Sequence, residues 1–166
     1  MSAPLPQPAD IPVTDKEDAM GAYLMVFGAL HLGLPLPFIG LIASWIYHGI
    51  NAKKAPFVGF HTYQSLLFSI PSSLISAAWI VWVIVVIVEV FQRPAVALNL
   101  TAFWVFTVFS VLVYLVYVVY CIVGAVQARK GRLVYFPVFG RMAFYRYFSS
   151  DRPVKPAPVN EPPKGV

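Results

Sequence analysis

The chain has 166 residues, of which 59% are hydrophobic and only 11% are charged. Charged residues make up about a quarter of a soluble domain, so this composition excludes an ordinary soluble protein and predicts an integral membrane protein. The formal net charge is +5. No nucleic-acid recognition motif accompanies the bases, so anionic lipids, and not nucleic acids, are the expected counter-charge.

Residues 1–13 contain four prolines and no apolar period, which predicts a disordered arm. Thr14 and Glu17 then have the spacing of a capping box, so a helix is predicted to begin at Thr14. The acids between Asp10 and Asp18 are the opposite of the basic start of a cleaved signal peptide. The first apolar stretch is therefore expected to be retained.

The first predicted span covers residues 22–50 and contains no acid or base apart from two histidines. Its 29 residues exceed the roughly 20 that are needed to cross a bilayer core. Pro35 and Pro37 lie near its middle, and each removes a backbone donor. The helix is therefore predicted to be kinked, or broken near Gly33, with neither half long enough to span alone.

His31 is predicted to lie deep in this span. An intramembrane histidine suggests a proton relay or a haem ligand, but the sequence offers no second deep ligand and no carboxylate at mid-depth. The favoured interpretation is a neutral ring bonded to a carbonyl that Pro35 or Pro37 frees. The lone Cys121 excludes an intrachain disulfide and a paired-cysteine metal site. We therefore expect no cofactor and no metal.

The second and third predicted spans cover residues 62–91 and 100–128. Pro71 interrupts the second run, and residues 71–90 alone would suffice to span. The third helix is predicted to end just before Gly131, because glycine suits the left-handed position past a helix end.

Residues 133–148 are aromatic-rich but too short and too charged to cross, so they are predicted to lie in the membrane interface with the apolar side down. Residues 149–166 hold five prolines and are predicted to be a second disordered tail. The expected fold is an all-α integral membrane protein. Its single membrane domain, residues 14–148, has three transmembrane helices, the first kinked by proline, and a C-terminal interfacial segment.

Lysine and arginine cluster in the first loop and after the third span. The positive-inside rule places both clusters in the cytoplasm, and three spans would then place the N-terminus outside. The same side chains are predicted to contact lipid headgroups. They are Lys53, Lys54, Arg129, Lys130, Arg132, Arg141 and Arg146.

Two segments carry a resemblance to a known family. The first motif is Pro56-Phe-Val-Gly-Phe60-His61-Thr-Tyr-Gln64-Ser65, and the second motif is Gly131-Arg-Leu-Val-Tyr135-Phe-Pro137-Val-Phe-Gly140-Arg141. With the proline-broken first helix, they resemble a bacterial family of small membrane proteins related to the chloroplast Tic-twenty import component. The magnetosome proteins MamF and MmsF resemble the same family. This resemblance covers residues 20–141 and implies a multi-pass protein of the bacterial inner membrane.

Within the first motif, Pro56 lies at the loop, and Phe57 and Phe60 are placed as anchors in the membrane interface. His61 and Gln64 follow one turn apart at a helix start, where backbone amides and loop carbonyls need partners. We interpret this polar pair as pinning the loop to the helix. The alternative is a binding site for a lipid headgroup or a partner peptide.

Small residues recur on one face of each of the first two predicted helices, at spacings of three and four. Small side chains let helix backbones approach closely in lipid, so these stripes predict helix packing. The alternative is the polar lining of a pore formed by an oligomer. The residues are Gly40, Ser44, Ser65, Ser69, Ser72 and Ser76.

These features predict a non-catalytic multi-pass membrane protein that acts as a scaffold, an assembly factor or an accessory subunit of a larger membrane complex. Its expected partners are other membrane subunits or further copies of itself. The alternative is an oligomeric channel or translocation component, as the resemblance to the import family implies. An enzyme is not expected, because the sequence displays no nucleophile–base pair, carboxylate pair or metal cluster.

Overall fold

The structure is a computed structural model that describes residues 5–31, 38–92 and 100–148, with the backbone alone for residues 26–31. These ranges contain five helices and no strand. The helices are α1 (Val13–His31), α2 (Ile39–Asn51), α3 (Pro56–Gln92), α4 (Thr101–Arg129) and α5 (Phe139–Tyr147).

Helices α1 and α2 form an antiparallel hairpin in place of one long first span. The Tyr47 hydroxyl of α2 donates to the backbone carbonyl of Asp18 near the start of α1 (2.9 Å), and the Tyr47 ring lies against Gly21. The helix predicted over residues 22–50 therefore ends at His31, and α2 returns toward the end from which α1 came.

Among the described residues, two helices are long and apolar enough to cross a membrane, namely α3 and α4. The prediction of three spans is therefore wrong. Helix α2 has 13 residues, or about 20 Å of helix against a hydrocarbon core of about 30 Å. The early turns of α1 carry charged side chains that lipid excludes. The predicted effects of Pro35 and Pro37, and the His31 side chain, lie outside the described residues.

Helices α3 and α4 form a long antiparallel pair. Helix α3 has 37 residues and continues through Pro71, where the sequence predicted an interruption. The Trp79 indole donates to the Thr107 hydroxyl (3.0 Å), which joins the second half of α3 to the first half of α4. Beyond this contact most outward side chains are apolar and exposed, with 60% of Val81 and 66% of Val105 accessible, and the polar exceptions, Glu89, Gln92 and Thr101, lie toward the far tip. Such a surface fits hydrocarbon and not water.

The opposite half of the molecule, which we call the packed end, holds a hydrophobic cluster between α1, α5, the start of α3 and the end of α4, and α2 packs against α1 and α3. Residues 5–12, predicted to be a disordered arm, contribute to it, since Ile11 is buried and Leu5 packs against the cluster. Pro8 packs directly against Gly131. The prediction that Gly131 takes the left-handed conformation is confirmed, with φ +72°.

The N-terminal segment and the basic clusters lie at the same end of the bundle. Lys54 forms an ion pair with Asp18 (2.7 Å), and Arg129 forms one with Glu17. Placing the N-terminus on the opposite side from the basic clusters is therefore wrong, because the α1–α2 hairpin enters and leaves at one face. Each partly exposed pair contributes only about 0.2–1 kcal/mol, so buried contacts hold most of α1 in place.

This arrangement makes a labelling prediction. Single cysteines at Gln7 and Arg132, placed in a Cys121→Ala background, should react with a membrane-impermeant maleimide from the same side of sealed vesicles. A cysteine at Phe91, which is 82% exposed at the far tip of α3, should react only from the other side. Shared accessibility of positions 7 and 91, with position 132 protected, would contradict the fold.

Residues 131–148 fold along α3. Phe136, Phe144 and Phe148 are buried, so the apolar side of this segment faces protein, and the prediction that it faces lipid is corrected. The Phe139 N–H donates to the Pro137 carbonyl (2.7 Å) across Val138, whose φ is +64°, in a tight turn that leads into α5. A sealed apolar core under α5 offers more burial than the membrane interface does.

Candidate functional site at the junction of the two motifs

The two sequence motifs meet at Gln64, which is fully buried in the first third of α3. Its Nε2 donates to the Val134 carbonyl (3.0 Å) and to the Tyr23 hydroxyl (3.0 Å), and its Oε1 accepts from the Phe136 N–H (3.2 Å). In the segment after α4, the Val134 carbonyl and the Phe136 N–H have no hydrogen-bond partner in a strand or helix. Burying them without any partner would cost free energy. One side chain therefore ties this segment to α3 and to α1.

Tyr23 extends the network to His61. The Tyr23 hydroxyl accepts from Gln64, so its single proton is directed at His61 Nδ1, 2.9 Å away. Burial raises the pKa of Tyr23, which keeps the hydroxyl protonated. His61 Nε2 is also buried and has no hydrogen-bond partner of standard geometry among the described residues. We call Tyr23, His61 and Gln64 the buried polar triad.

Two glycines let neighbouring helices reach the triad. A Cβ atom at Gly124 of α4 would lie 2.7 Å from the Tyr23 ring, and a Cβ at Gly140 of α5 would lie 2.9 Å from Gln64 Oε1. Both distances are shorter than van der Waals contact allows. The close approach of α4 and α5 to the triad therefore requires these two residues to lack a side chain.

A second histidine, His48, lies half-buried between α2, α3 and α5. The Thr62 hydroxyl donates to the Gly59 carbonyl (3.1 Å), so it accepts from His48 Nδ1 (2.9 Å). His48 Nε2 is then the acceptor that faces the Tyr147 hydroxyl, 3.4 Å away. Burial, together with the Arg146 guanidinium, lowers the pKa of His48, which favours this neutral tautomer.

The structure divides the other predicted site residues into buried and exposed sets. Phe57 and Phe60, predicted as anchors in the membrane interface, are 2% and 0% exposed and belong to the hydrophobic cluster, so that prediction is corrected. Pro56 is the first residue of α3. The side chains predicted to contact headgroups are all exposed at the packed end: Lys53, Lys54, Arg129, Lys130, Arg132, Arg141 and Arg146.

The serine stripe lies mostly inside the chain. The Ser65 hydroxyl donates to the Ala22 carbonyl of α1 (2.8 Å), and Ser69 is 1% exposed. Ser72 and Ser76 are half-buried. On α2, Ser44 is buried, whereas a Cβ atom at Gly40 would meet nothing within 4 Å.

Sequence reasoning missed Tyr23, Gly124 and Tyr147. Each lies in an apolar or aromatic run with no spacing that distinguishes it, and the partners become visible only once the helices are packed. Within the three described ranges, no three His, Cys, Asp or Glu side chains are grouped so as to hold a metal ion.

Comparisons with known proteins give one family. Searches of curated proteins and of solved structures found no match. The relation to the Tic-twenty component stays a prediction. A family model for MamF and MmsF matches residues 15–143, which include both motifs and all three members of the buried polar triad. Because this match covers more than half of the chain, the protein belongs to the magnetosome magnetite crystal formation protein family.

Proposed function

We propose that the protein is a non-catalytic scaffold, assembly factor or accessory subunit of a larger membrane complex, acting in the process that describes its family, magnetosome magnetite crystal formation. The observation that carries this proposal is the division of the molecule into two halves. One half is the packed end with its buried cluster, and the other is an α3–α4 hairpin whose outward faces are mostly apolar. Such a hairpin can insert beside other membrane helices while the packed end stays folded.

The burial of the polar triad supports a non-catalytic role. Tyr23, His61 and Gln64 are each 0% exposed, so no substrate atom can come within bonding distance of them without opening the packed end. Their hydrogen bonds run to one another and to the backbone of the second motif. The triad therefore holds α1, α3 and the second motif together, a structural role that suits a scaffold.

A channel formed by an oligomer is the second candidate, and the position of the serines argues against it. Ser65 and Ser69 are only 3% and 1% exposed, so they cannot line a conduit between copies. The outward faces that an oligomer would bring together carry valine, isoleucine and leucine. Such faces pack against lipid or other apolar helices. Glu89, near the far end of α3, is the one acid on the described parts of this hairpin, so the faces offer an ion no row of ligands.

The lysines and arginines of the packed end indicate how the protein is oriented in the membrane. We propose that the packed end, with the N-terminal segment, the first loop and the C-terminal flank, faces the cytoplasm across the inner membrane. The basic residues at that end are the side chains that the positive-inside rule counts.

Purification of the full chain in mild detergent, followed by native mass determination, tests the scaffold proposal. Foreign subunits should co-purify, and Val108→Trp, which adds bulk to an outward face of α4 that is 58% exposed, should reduce their amount. The matched control is Ile50→Trp on α2, which is 66% exposed and belongs to the packed end. A homo-oligomer that passes ions in liposomes would overturn the proposal in favour of a channel.

A further inference from the structure

Three rings from three helices meet at the surface of the packed end. The centroids of His48 (α2), Tyr63 (α3) and Tyr147 (α5) are 5.5 to 6.3 Å apart. All three side chains are half-buried, so each keeps an accessible edge. We call this group the surface triangle. It is distinct from the buried polar triad, which lies further inside and is fully covered.

A cation adjoins the triangle. Arg146 precedes Tyr147 on α5, is exposed, and lies close enough to His48 to act on its charge. The only acid near α2 that the described contacts show is Asp18, and its carboxylate is already paired with Lys54. The donors left for a ligand at this point are the Arg146 guanidinium and the Tyr63 hydroxyl, because His48 Nδ1 donates to Thr62 and the Tyr147 hydroxyl faces His48 Nε2. Together they suit an oxyanion such as a phosphodiester.

An apolar strip leads away from the triangle. On α2, Trp45 is 67% exposed and Ile42 is 50% exposed, and both lie on turns that precede His48. Because α2 ends at the basic first loop, the strip leads from the triangle away from that loop, which is the direction that α3 takes as it leaves the packed end. On α5, Met142 and Tyr145 are exposed between the two arginines, a pattern that suits a membrane surface.

We propose that Arg146 and the Tyr63 hydroxyl, at the edge of the surface triangle, bind the headgroup phosphate of an anionic phospholipid, whose acyl chains lie along Ile42 and Trp45. The alternation from polar to apolar along α2 matches a lipid and not a soluble phosphate, which would have no use for the strip. This inference rests on membrane insertion alone and is independent of the scaffold role.

Native mass spectrometry of the full chain tests the site. The purified protein is mixed with phosphatidylglycerol or with phosphatidylcholine of the same acyl chains, and retained lipid is counted. Phosphatidylglycerol should be retained in preference, and Arg146→Gln should weaken its retention about tenfold, as expected for loss of a hydrogen bond to a charged group. Arg141→Gln, an equal charge change at another exposed position of α5, should change retention by about twofold or less.

Three results would overturn the proposal. Equal retention of the two lipids would remove the anion preference. Equal losses in the two arginine variants would reduce the site to general charge attraction. Displacement of the lipid by an equal concentration of inorganic phosphate would make it a phosphate site.

If Arg146→Gln lowers the thermal stability, Tyr63→Phe is the deciding variant, since it removes only a hydroxyl. An unchanged lipid preference in that variant would also count against the site.

Discussion

Replacing Gln64 with leucine is expected to destabilise the packed end by about 3 kcal/mol or more. The change leaves the Phe136 N–H and the Val134 carbonyl buried without partners and removes the donor to Tyr23. Each buried polar group left unpaired costs about 1–3 kcal/mol. The melting temperature in detergent should fall, and trypsin should cleave faster at Arg141 and Arg146, because the segment that Gln64 holds is released.

The chain offers a matched control in Gln127, a second glutamine on a long helix. Its Oε1 is buried and has no hydrogen-bond partner among the described residues. Gln127→Leu removes that unpaired oxygen and should therefore be neutral, or stabilising by up to about 1 kcal/mol. If both substitutions lowered the melting temperature equally, the loss would come from replacing any glutamine on these helices with leucine. The claim that the Gln64 hydrogen bonds hold the second motif on α3 would then be wrong.

The second large effect is expected from Gly124→Ala. The added methyl would lie 2.7 to 2.8 Å from three atoms of the Tyr23 ring, so the ring must move and its bonds to His61 and Gln64 must stretch. Overpacking of this kind costs about 1–3 kcal/mol. The loss should appear as a lower melting temperature, even though alanine is the better helix former.

Gly49→Ala is the corresponding control on α2, where a Cβ atom would meet nothing within 4 Å. There the helix preference of alanine acts alone, and it favours the variant by about 1 kcal/mol. The two substitutions should therefore shift the melting temperature in opposite directions. Shifts of the same sign would mean that α1 does not approach α4 at Tyr23.

The elements that local sequence specifies were predicted well. The third apolar run, residues 100–128, is helix α4 within one residue at each end, and Gly131 follows it in the predicted conformation. Long apolar runs and a helix-ending glycine act over a few residues, so neighbours in the chain are sufficient to reveal them. The effect of Pro71 on α3 was overestimated, because side chains and small local adjustments of a membrane helix can satisfy the backbone groups that a proline frees.

The candidate site was predicted only in part. His61 and Gln64 stood out as a polar pair at a helix start, but their partners Tyr23, Val134 and Phe136 lie 38 to 72 residues away in the chain. Spacing within one segment carries no information on such contacts. Only the packing of α1 and of the segment after α4 against α3 shows which residues these two side chains contact.

The sequence by itself determined that the chain is a helical membrane protein with a basic end, because apolar length and segregated charge are demands of the bilayer on each segment separately. Only the tertiary structure decided how many segments cross and which ends share a side. The first apolar stretch folds back as the α1–α2 hairpin and ends beside its own start. That outcome depends on contacts between distant residues, and a span count from composition cannot include them.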